Sequence, residues 1–301
     1  MVKSYEKFTI SEKHAGLTVE TYLKEILQYS GRKIQKLTRR KGVVLNRKAV
    51  FLKKQLRAGD TLGVLILEDA PLNLQPEEGT ISVLYEDDYL LILNKPAYQL
   101  VHPAGRTTTG TLANFLAHYL QQKGVTNTIR PVHRLDRETS GCVIFAKDSR
   151  SQFILEQQLK EHTLKRTYWA LVEGFVEPPA GTIDVPIGPH PTLANRRAIT
   201  DQGEPAITHY RTLRNLPNAS LLELSLETGR THQIRVHLTH LGYPILGDRM
   251  YGLRTPWMNR QALHAASVSF QHIKDKRAIT VEAPHPQDFM QAIAYCESKQ
   301  A

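Results

Sequence analysis

No aspartate or glutamate occurs between Glu25 and Asp60, although that stretch carries Arg32, Lys33, Lys36, Arg39, Arg40, Lys41, Arg47, Lys48, Lys53, Lys54 and Arg57. So many cations without a counter-charge argue against an ordinary salt-bridged solvent face and favour an anionic partner, of which nucleic acid is the commonest. The formal net charge of +10 and pI of about 9.5 point the same way. Cysteine is also scarce. Cys142 and Cys296 are the only two, far apart in sequence, so a disulfide-stapled scaffold is excluded. Cys142 opens an apolar run and reads as a small core residue. No apolar run approaches a bilayer span, so a membrane partner is not expected. The first residues, Met1-Val-Lys-Ser-Tyr-Glu-Lys7, lack the apolar centre of a secretion signal. A cytoplasmic protein is the simplest expectation.

A chain of 301 residues is long enough for two cores. Over 17–29, Val19, Tyr22, Leu23, Ile26 and Leu27 form the stripe of an amphipathic helix, with Gly31 as its stop. A second short helix follows, with Ile34 and Leu37 inward and the cations around them. Val43 to Leu45 reads as a strand, Asn46-Arg47 as a turn, Ala58-Gly59-Asp60 as another turn, and 61–67 as a strand. Residues 1–72 therefore read as a small α+β module. Its basic face is Arg32, Lys33, Lys36, Arg39 and Arg40. These cations are expected to meet phosphates rather than bases, because aromatics are not seen interleaved among them.

A linker is expected over 68–80, from Pro71, Pro76, Gly79 and weak periodicity. A second domain over 80–301 follows. Its strands are expected at 81–85, 90–93, 142–146, 168–172 and 221–226, and its helices at 112–121, 151–161 and 231–241. The Pro- and Gly-rich stretch 178–205 reads mostly as loop. The expected class is α+β: a mixed, mostly antiparallel sheet with helices and long loops.

The most informative segment is Arg130-Pro-Val-His-Arg-Leu-Asp-Arg-Glu-Thr-Ser-Gly141, followed at once by the apolar Cys142 to Ala146. A tight polar loop thus feeds a buried strand, with Asp136 among Arg130, Arg134 and Arg137. Cations around a carboxylate favour its ionised form. Such a group can attack a sugar carbon. An ordinary salt-bridged loop satisfies the same spacing.

Four segments together resemble the RluA-type pseudouridine synthase family. They are Leu84-Tyr-Glu-Asp-Asp-Tyr-Leu-Leu-Ile-Leu-Asn-Lys-Pro-Ala97 with Val101-His-Pro103; His133-Arg-Leu-Asp-Arg-Glu-Thr-Ser-Gly141; Lys165-Arg-Thr-Tyr-Trp-Ala-Leu-Val-Glu-Gly174; and Thr228-Gly-Arg-Thr-His-Gln-Ile-Arg-Val-His237 with Leu241-Gly-Tyr-Pro-Ile-Leu-Gly-Asp-Arg-Met-Tyr-Gly252. The N-terminal module is similar to the alpha-L (S4-like) RNA-binding domain. The resemblance implies isomerisation of uridine to pseudouridine in structured RNA, ribosomal or transfer RNA. It implies no cofactor and no metal. No protein partner is required, and a monomer is expected. It assigns Asp136 as nucleophile, Tyr168 as the tyrosine against the base and Arg235 as the partner of the aspartate. Ile234 would floor the uracil pocket, Arg134 would replace the extruded base, and Arg230 would hold phosphate. His133 opens the second motif and is counted with the substrate-binding residues. Departures are Tyr98-Gln99 in place of Gly plus an apolar residue, Tyr243 in place of His, and Glu204 in place of Lys.

Other readings remain open on residues alone. His232, His237 and His240 with Asp248 could hold a metal, although His232 and His237 are poorly spaced on one helix. Asp136 and Glu138 could be a glycosidase-type pair, giving a base-excising or nucleoside-hydrolysing enzyme. A non-catalytic RNA-binding protein also fits the basic module.

Overall fold

The computed structural model describes residues 4–66, 74–125, 129–252 and 254–298. In the N-terminal module, strand β1 (Tyr5–Thr9) leads to a short helix α1 (Val19–Thr21), which widens into a looser turn over Tyr22–Ile26 before helix α2 (Gly31–Arg39). The first apolar stripe is real, since Val19, Tyr22, Leu23 and Leu27 are buried. Its regular helix is short, however, and the backbone leaves it at Gln28 with φ +53. Gly31 does not end that helix. It opens α2, with Ser30 Oγ accepting from the Lys33 amide at 3.2 Å. Ser30 is thus an ordinary N-cap, and Gly31 belongs to the second helix rather than closing the first.

Strands β2 (Val43–Leu45), β3 (Lys48–Ala49) and β4 (Thr61–Leu65) complete a sheet of order β1-β4-β2-β3, antiparallel throughout. Asn46 and Arg47 both have positive φ, the two-residue hairpin turn that matches strand twist. Ile34 and Leu37 pack with Leu23, Leu56 and Leu62 in a core of the module's own. Arg32, Lys36, Arg39 and Arg40 stay exposed, while Lys33 places its ammonium 3.8 Å above the Tyr29 ring. The basic window does contain aromatics. Tyr29 carries Lys33, and Phe51 stands 89% exposed beside Lys53 and Lys54 in sequence. The expectation of a face without interleaved aromatics is corrected by these two rings.

The expected linker falls partly outside the described residues. Its described end is not free. Leu74 packs on the main core, the Asn114 side chain donates to the Gln75 carbonyl at 2.8 Å, and Glu77 accepts from the Gly110 amide.

The larger part of the chain is built on β5 (Val83–Glu86), β6 (Leu90–Lys95), helix α3 (Leu112–Gln122), β7 (Arg130–Pro131), β8 (Ser140–Ala146), helix α4 (Ser149–Lys160) and β9 (Lys165–Glu173). It continues through β10 (Ala180–Asp184), β11 (Ile187–Pro189), β12 (Arg197–Ile199), β13 (Ile207–Leu216), β14 (Ala219–Leu226) and helix α5 (Gln233–His240). It closes with β15 (Leu263–Gln271), β16 (Ala278–Glu282) and helix α6 (Gln287–Ser298). Ten strands form one sheet with a main order β10-β13-β14-β9-β15-β8-β6-β5; β16 pairs β15 and β7 pairs β8. Among the described strands, only the β8–β15 contact is parallel, with His264 opposite Ser140 and Ala265 opposite Gly141. The fold is therefore α+β with a mostly antiparallel sheet.

The stretch 178–205 is more ordered than its composition implies, since β10 joins the sheet edge and β11 and β12 form a separate hairpin. The seven residues of β8 are all buried, which explains their unbroken apolar run. Both faces of the sheet are covered. Helices α3 and α6 join one core with β8, β9 and β14, and Leu155 of α4 packs with Leu90, Ile92 and Ile144 on the other face.

A polar cluster ties β5 to the elements around it. Glu86 accepts from Lys123, Lys147 and Tyr119 at 2.8–3.0 Å. Burial opposes ionisation of Glu86, but these three donors outweigh it and hold its carboxyl at about 2. A depressed carboxyl contributes stability above its unfolded value, and that contribution is lost as pH falls through the folded one. Glu86→Gln is therefore expected to lower the thermal midpoint near pH 7. The difference from wild type should vanish as pH drops from about 4.5 through about 2. A deficit that persists unchanged across that range would contradict the ion cluster.

Candidate active site

The Asp136 loop is held from beneath by two buried cations. Lys95 is 0% exposed and donates to the carbonyls of Pro96, Gln99 and Arg137 at 2.7–3.1 Å. Arg260, also 0% exposed, donates to Glu138 O at 3.1 Å while its fork grips Asp288 at 2.6 and 2.9 Å. The Thr139 amide donates to Asp136 O at 3.1 Å and closes a tight turn. The loop then enters β8 through Gly141 at φ +110, where a Cβ would lie 2.2 Å from Ala265 O. Only glycine fits that crossing. Burial, with Arg260 nearby, lowers the Lys95 ammonium to about 7, against an opposing pull from Asp136.

Asp136 projects from this platform toward α5. Its Oδ2 accepts from Arg235 Nη1 at 3.0 Å. Arg235 is nearly buried and has a second carboxylate, Asp248, accepting from Nε at 2.7 Å and Nη2 at 2.9 Å. Asp248 is in turn fixed by the amides of Met250 and Tyr251. Burial works against the guanidinium charge, but the bonds to Asp248 and the field of Asp136 reverse that and push its pKa up. The Tyr251 ring lies 5.0 Å from the guanidinium carbon, and its hydroxyl bonds His232 Nδ1 at 2.9 Å. Sequence reading missed Asp248 and Tyr251 as supports for Arg235. Both lie in the quoted Gly-Asp-Arg-Met-Tyr-Gly segment, so the signal was present.

A cavity of about 560 Å³ opens beside Asp136, walled by His133, Arg134, Tyr168, Ile234 and Arg235 among others. The structure thus brings together all seven residues singled out in the catalytic part, since Arg230 lines the cavity too. Tyr168 sits on β9 between β14 and β15, opposite Leu224 and Ala265. It is buried, which raises its phenol pKa. Ile234 lies in the first turn of α5 and is buried with Tyr168 in one core. Arg134 is exposed at the rim.

His133 Nε2 accepts the Ile144 amide at 3.3 Å, and Nδ1 has no partner among the described residues. Burial, with Arg166 nearby, pushes its pKa down to about 3, so the ring is neutral. Arg230 also lines the cavity, but its guanidinium is held by Glu204 at 2.9 Å and by Pro205 O at 3.0 Å. The unusual Glu204 therefore has a local role. Tyr98, another departure, has φ +65, a conformation that glycine adopts more easily and that accounts for the usual glycine but not for this tyrosine.

Helix α5 begins at Gln233, two residues later than expected, after His232 at φ +60. The proposed metal ligands are engaged elsewhere. His237 bonds Thr208 and Val185 O, His232 bonds Tyr251, and Asp248 bonds Arg235. Among the described residues, no group of three such side chains is arranged to hold a metal. The expected basic face of Arg32, Lys33, Lys36, Arg39 and Arg40 lies on the separate N-terminal module, not in this cavity.

The model of the RNA pseudouridylate synthase family matches residues 89–240, and that of the N-terminal domain of RluD ribosomal pseudouridine synthases matches 7–62. This chain belongs to the RNA pseudouridylate synthase family. It is an RNA pseudouridine synthase, an isomerase. An uncharacterized RNA pseudouridine synthase of Bacillus subtilis is 41% identical over 281 residues, spanning 93% of each chain. Ribosomal large subunit pseudouridine synthase D of Nitrosomonas europaea is 37% identical, covering 94% of this chain and 85% of that one. The solved human RNA pseudouridylate synthase domain containing 1 is similar at 28% identity and TM-score 0.57, over 70% of this chain and 86% of that one.

Removing the Asp248 carboxylate strands a buried guanidinium. Asp248→Ala is expected to destabilise the enzyme by about 3–5 kcal/mol. Denaturant unfolding measures this, and a loss below about 1 kcal/mol would place Arg235 outside any dependence on Asp248.

Proposed function

We propose that Asp136 is the nucleophile of this synthase, acting on a uridine of structured RNA, with ribosomal RNA the favoured substrate. The observation that carries the reading is the Arg235-bound carboxylate of Asp136 at the mouth of a cavity walled by Tyr168 and Ile234. Asp136 attacks C1′ of the ribose, the bond to N1 breaks, and the electron pair leaves with the uracil. The freed base turns in the cavity. Its C5 then bonds C1′ and displaces the carboxylate, or meets the short-lived sugar cation if the first step is dissociative. Loss of the C5 proton and protonation at N1 restore the aromatic ring, so the product is an isomer. The sequence of steps consumes no water and transfers no electrons.

In this reading Arg235, itself fixed bidentately by Asp248, orients the Asp136 carboxylate through Nη1 and keeps it from turning away. Tyr168 presents an aromatic edge or face to the uracil. Its raised phenol pKa favours a neutral hydroxyl, so it holds the base rather than acting as a phenolate. Ile234 floors the pocket. Arg134, exposed at the rim, fills the place left by the extruded nucleotide. His133 has a free Nδ1 hydrogen at the cavity wall, and Arg230 supports the entrance to α5.

The ribosomal preference rests on the match of residues 7–62 to a domain of ribosomal synthases and on the ribosomal naming of the Nitrosomonas relative. Arg32, Lys33, Lys36, Arg39 and Arg40 supply the phosphate contacts of a module over 1–72, and 80–301 forms the catalytic domain. The enzyme works as a cytoplasmic monomer without a protein partner. No described helix is long and apolar enough to cross a membrane.

Asp136→Asn should abolish tritium release from RNA labelled at uridine C5 while leaving RNA affinity nearly intact. Activity within about tenfold of wild type would remove Asp136 from the nucleophile's position. Mapping modified uridines in ribosomal and transfer RNA, with and without the protein, identifies the substrate. Deleting 1–72 should weaken RNA binding and reduce its salt slope by about 0.7–0.9 per lost phosphate contact. An unchanged slope would show that the module does not bind the substrate.

A further inference from the structure

Asp136 and Arg235 stand between two cavities. One lies on the Tyr168 and Ile234 side. The other, also about 560 Å³, shares Arg134, Asp136, His232 and Arg235 with the first. Its remaining wall includes Arg137, Arg196 and Arg249. Among the described residues, no carboxylate forms an ion pair with Arg134, Arg137, Arg196 or Arg249. Of the two acids in the wall, Asp136 is held by Arg235, and Glu138 is outnumbered by the surrounding guanidiniums.

This second cavity is built on the same supports as the catalytic pair. Arg249 directly follows Asp248, whose carboxylate grips Arg235. Arg196 lies in the loop between β11 and β12. That loop is closed by the His190 amide on Arg196 O at 3.0 Å and the Arg196 amide on Leu193 O at 2.9 Å. The adjacent Arg197 amide donates to Tyr251 Oη at 2.7 Å, and the Tyr251 ring faces Arg235. Arg137 Nε donates to Tyr98 O at 3.2 Å, which fixes its stem at the rim.

The reaction geometry assigns the contents of each side. Attack at C1′ puts the target ribose against Asp136, on the partition itself. The leaving base occupies the first cavity, between Tyr168 and Ile234; of the cations in that wall, Arg230 is paired with Glu204 and Arg166 donates to Thr228 O. The ribose also carries a phosphate at each of its 3′ and 5′ oxygens, and these cannot enter a pocket filled by uracil. The second cavity, whose Arg137, Arg196 and Arg249 have no carboxylate partner among the described residues, is the one that stabilises them.

We propose that the second cavity binds the phosphodiester backbone flanking the target uridine, with Arg196 and Arg249 as its anion-holding residues. The proposal rests on the reading of Asp136 as the atom that meets C1′. Its experiment uses small probes, so that the two readings fail separately. The full-length protein is titrated with uridine, uridine 3′,5′-bisphosphate and adenosine 3′,5′-bisphosphate, followed by calorimetry or NMR.

The uridine bisphosphate is expected to bind at least about tenfold more tightly than uridine, the worth of one good charge-assisted contact. The Arg196→Ala, Arg249→Ala double variant should lose most of that advantage, together with its salt dependence. An advantage of the same size in the double variant overturns the proposal, and so does a bisphosphate no tighter than uridine in wild type. Adenosine bisphosphate binding as tightly as uridine bisphosphate would instead sink the uracil pocket and leave the phosphate site standing. Arg249→Glu, at an exposed position, repeats the test by charge inversion if the double variant proves unstable.

Discussion

Arg235 is the interaction on which the catalytic half depends. A guanidinium removed from water needs its donors satisfied and its charge matched, or its burial is prohibitive. Here Asp248 takes Nε and Nη2 and Asp136 takes Nη1, so each of the three nitrogens has a carboxylate partner. The requirement reaches outward from there. Helix α5 must start where it does to aim Arg235 at the loop, and the 247–251 turn must present the Asp248 carboxylate with its lone pairs already fixed. The two carboxylates are inequivalent as a result. Asp248 is sealed and saturated, whereas Asp136 keeps one oxygen for the cavity.

The loop that carries Asp136 meets a matching constraint from below. Lys95 and Arg260 accept no hydrogen bonds and cannot be left bare, so each is surrounded by backbone carbonyls. Those carbonyls include Arg137 O and Glu138 O, directly after Asp136. The same positive charge that fixes the loop also sits under the carboxylate. Gly141 then lets β8 pass within contact distance of β15, the parallel pairing that sets the loop's height above the sheet. Burial, pairing and loop shape are therefore one arrangement, and a change in any part displaces Asp136.

Much of this was legible in the residues. The unbroken apolar run Cys142 to Ala146 marked a strand buried on both faces, and the Arg-Leu-Asp-Arg knot marked the loop before it. The helix expected over 231–241 already carried Arg235. What escaped was set by tertiary context. Strand β15 mixes Ala, Ser and His and carries no clear alternation, because its neighbours on both sides make it a core strand whatever its side chains are. The edge strand β10 and the β11–β12 hairpin within 178–205 were hidden by proline and glycine that serve turns. Gly31 reads as a stop because glycine ends a helix more often than it opens one. Asp248 was weighed as a metal ligand, and only the folded chain shows that an arginine occupies it. Phe51 was overlooked among the cations around it.

The central claim is that Arg235 acts on the chemical step by fixing Asp136, not on RNA capture. Single-turnover pseudouridine formation by Arg235→Gln, at saturating enzyme, tests it most directly when RNA affinity is measured on the same preparation. The account predicts a chemical step slowed by about 100-fold or more, the scale expected when a reacting group loses its alignment, with RNA affinity changed by less than about threefold. A normal single-turnover rate combined with a large loss of RNA affinity would contradict it.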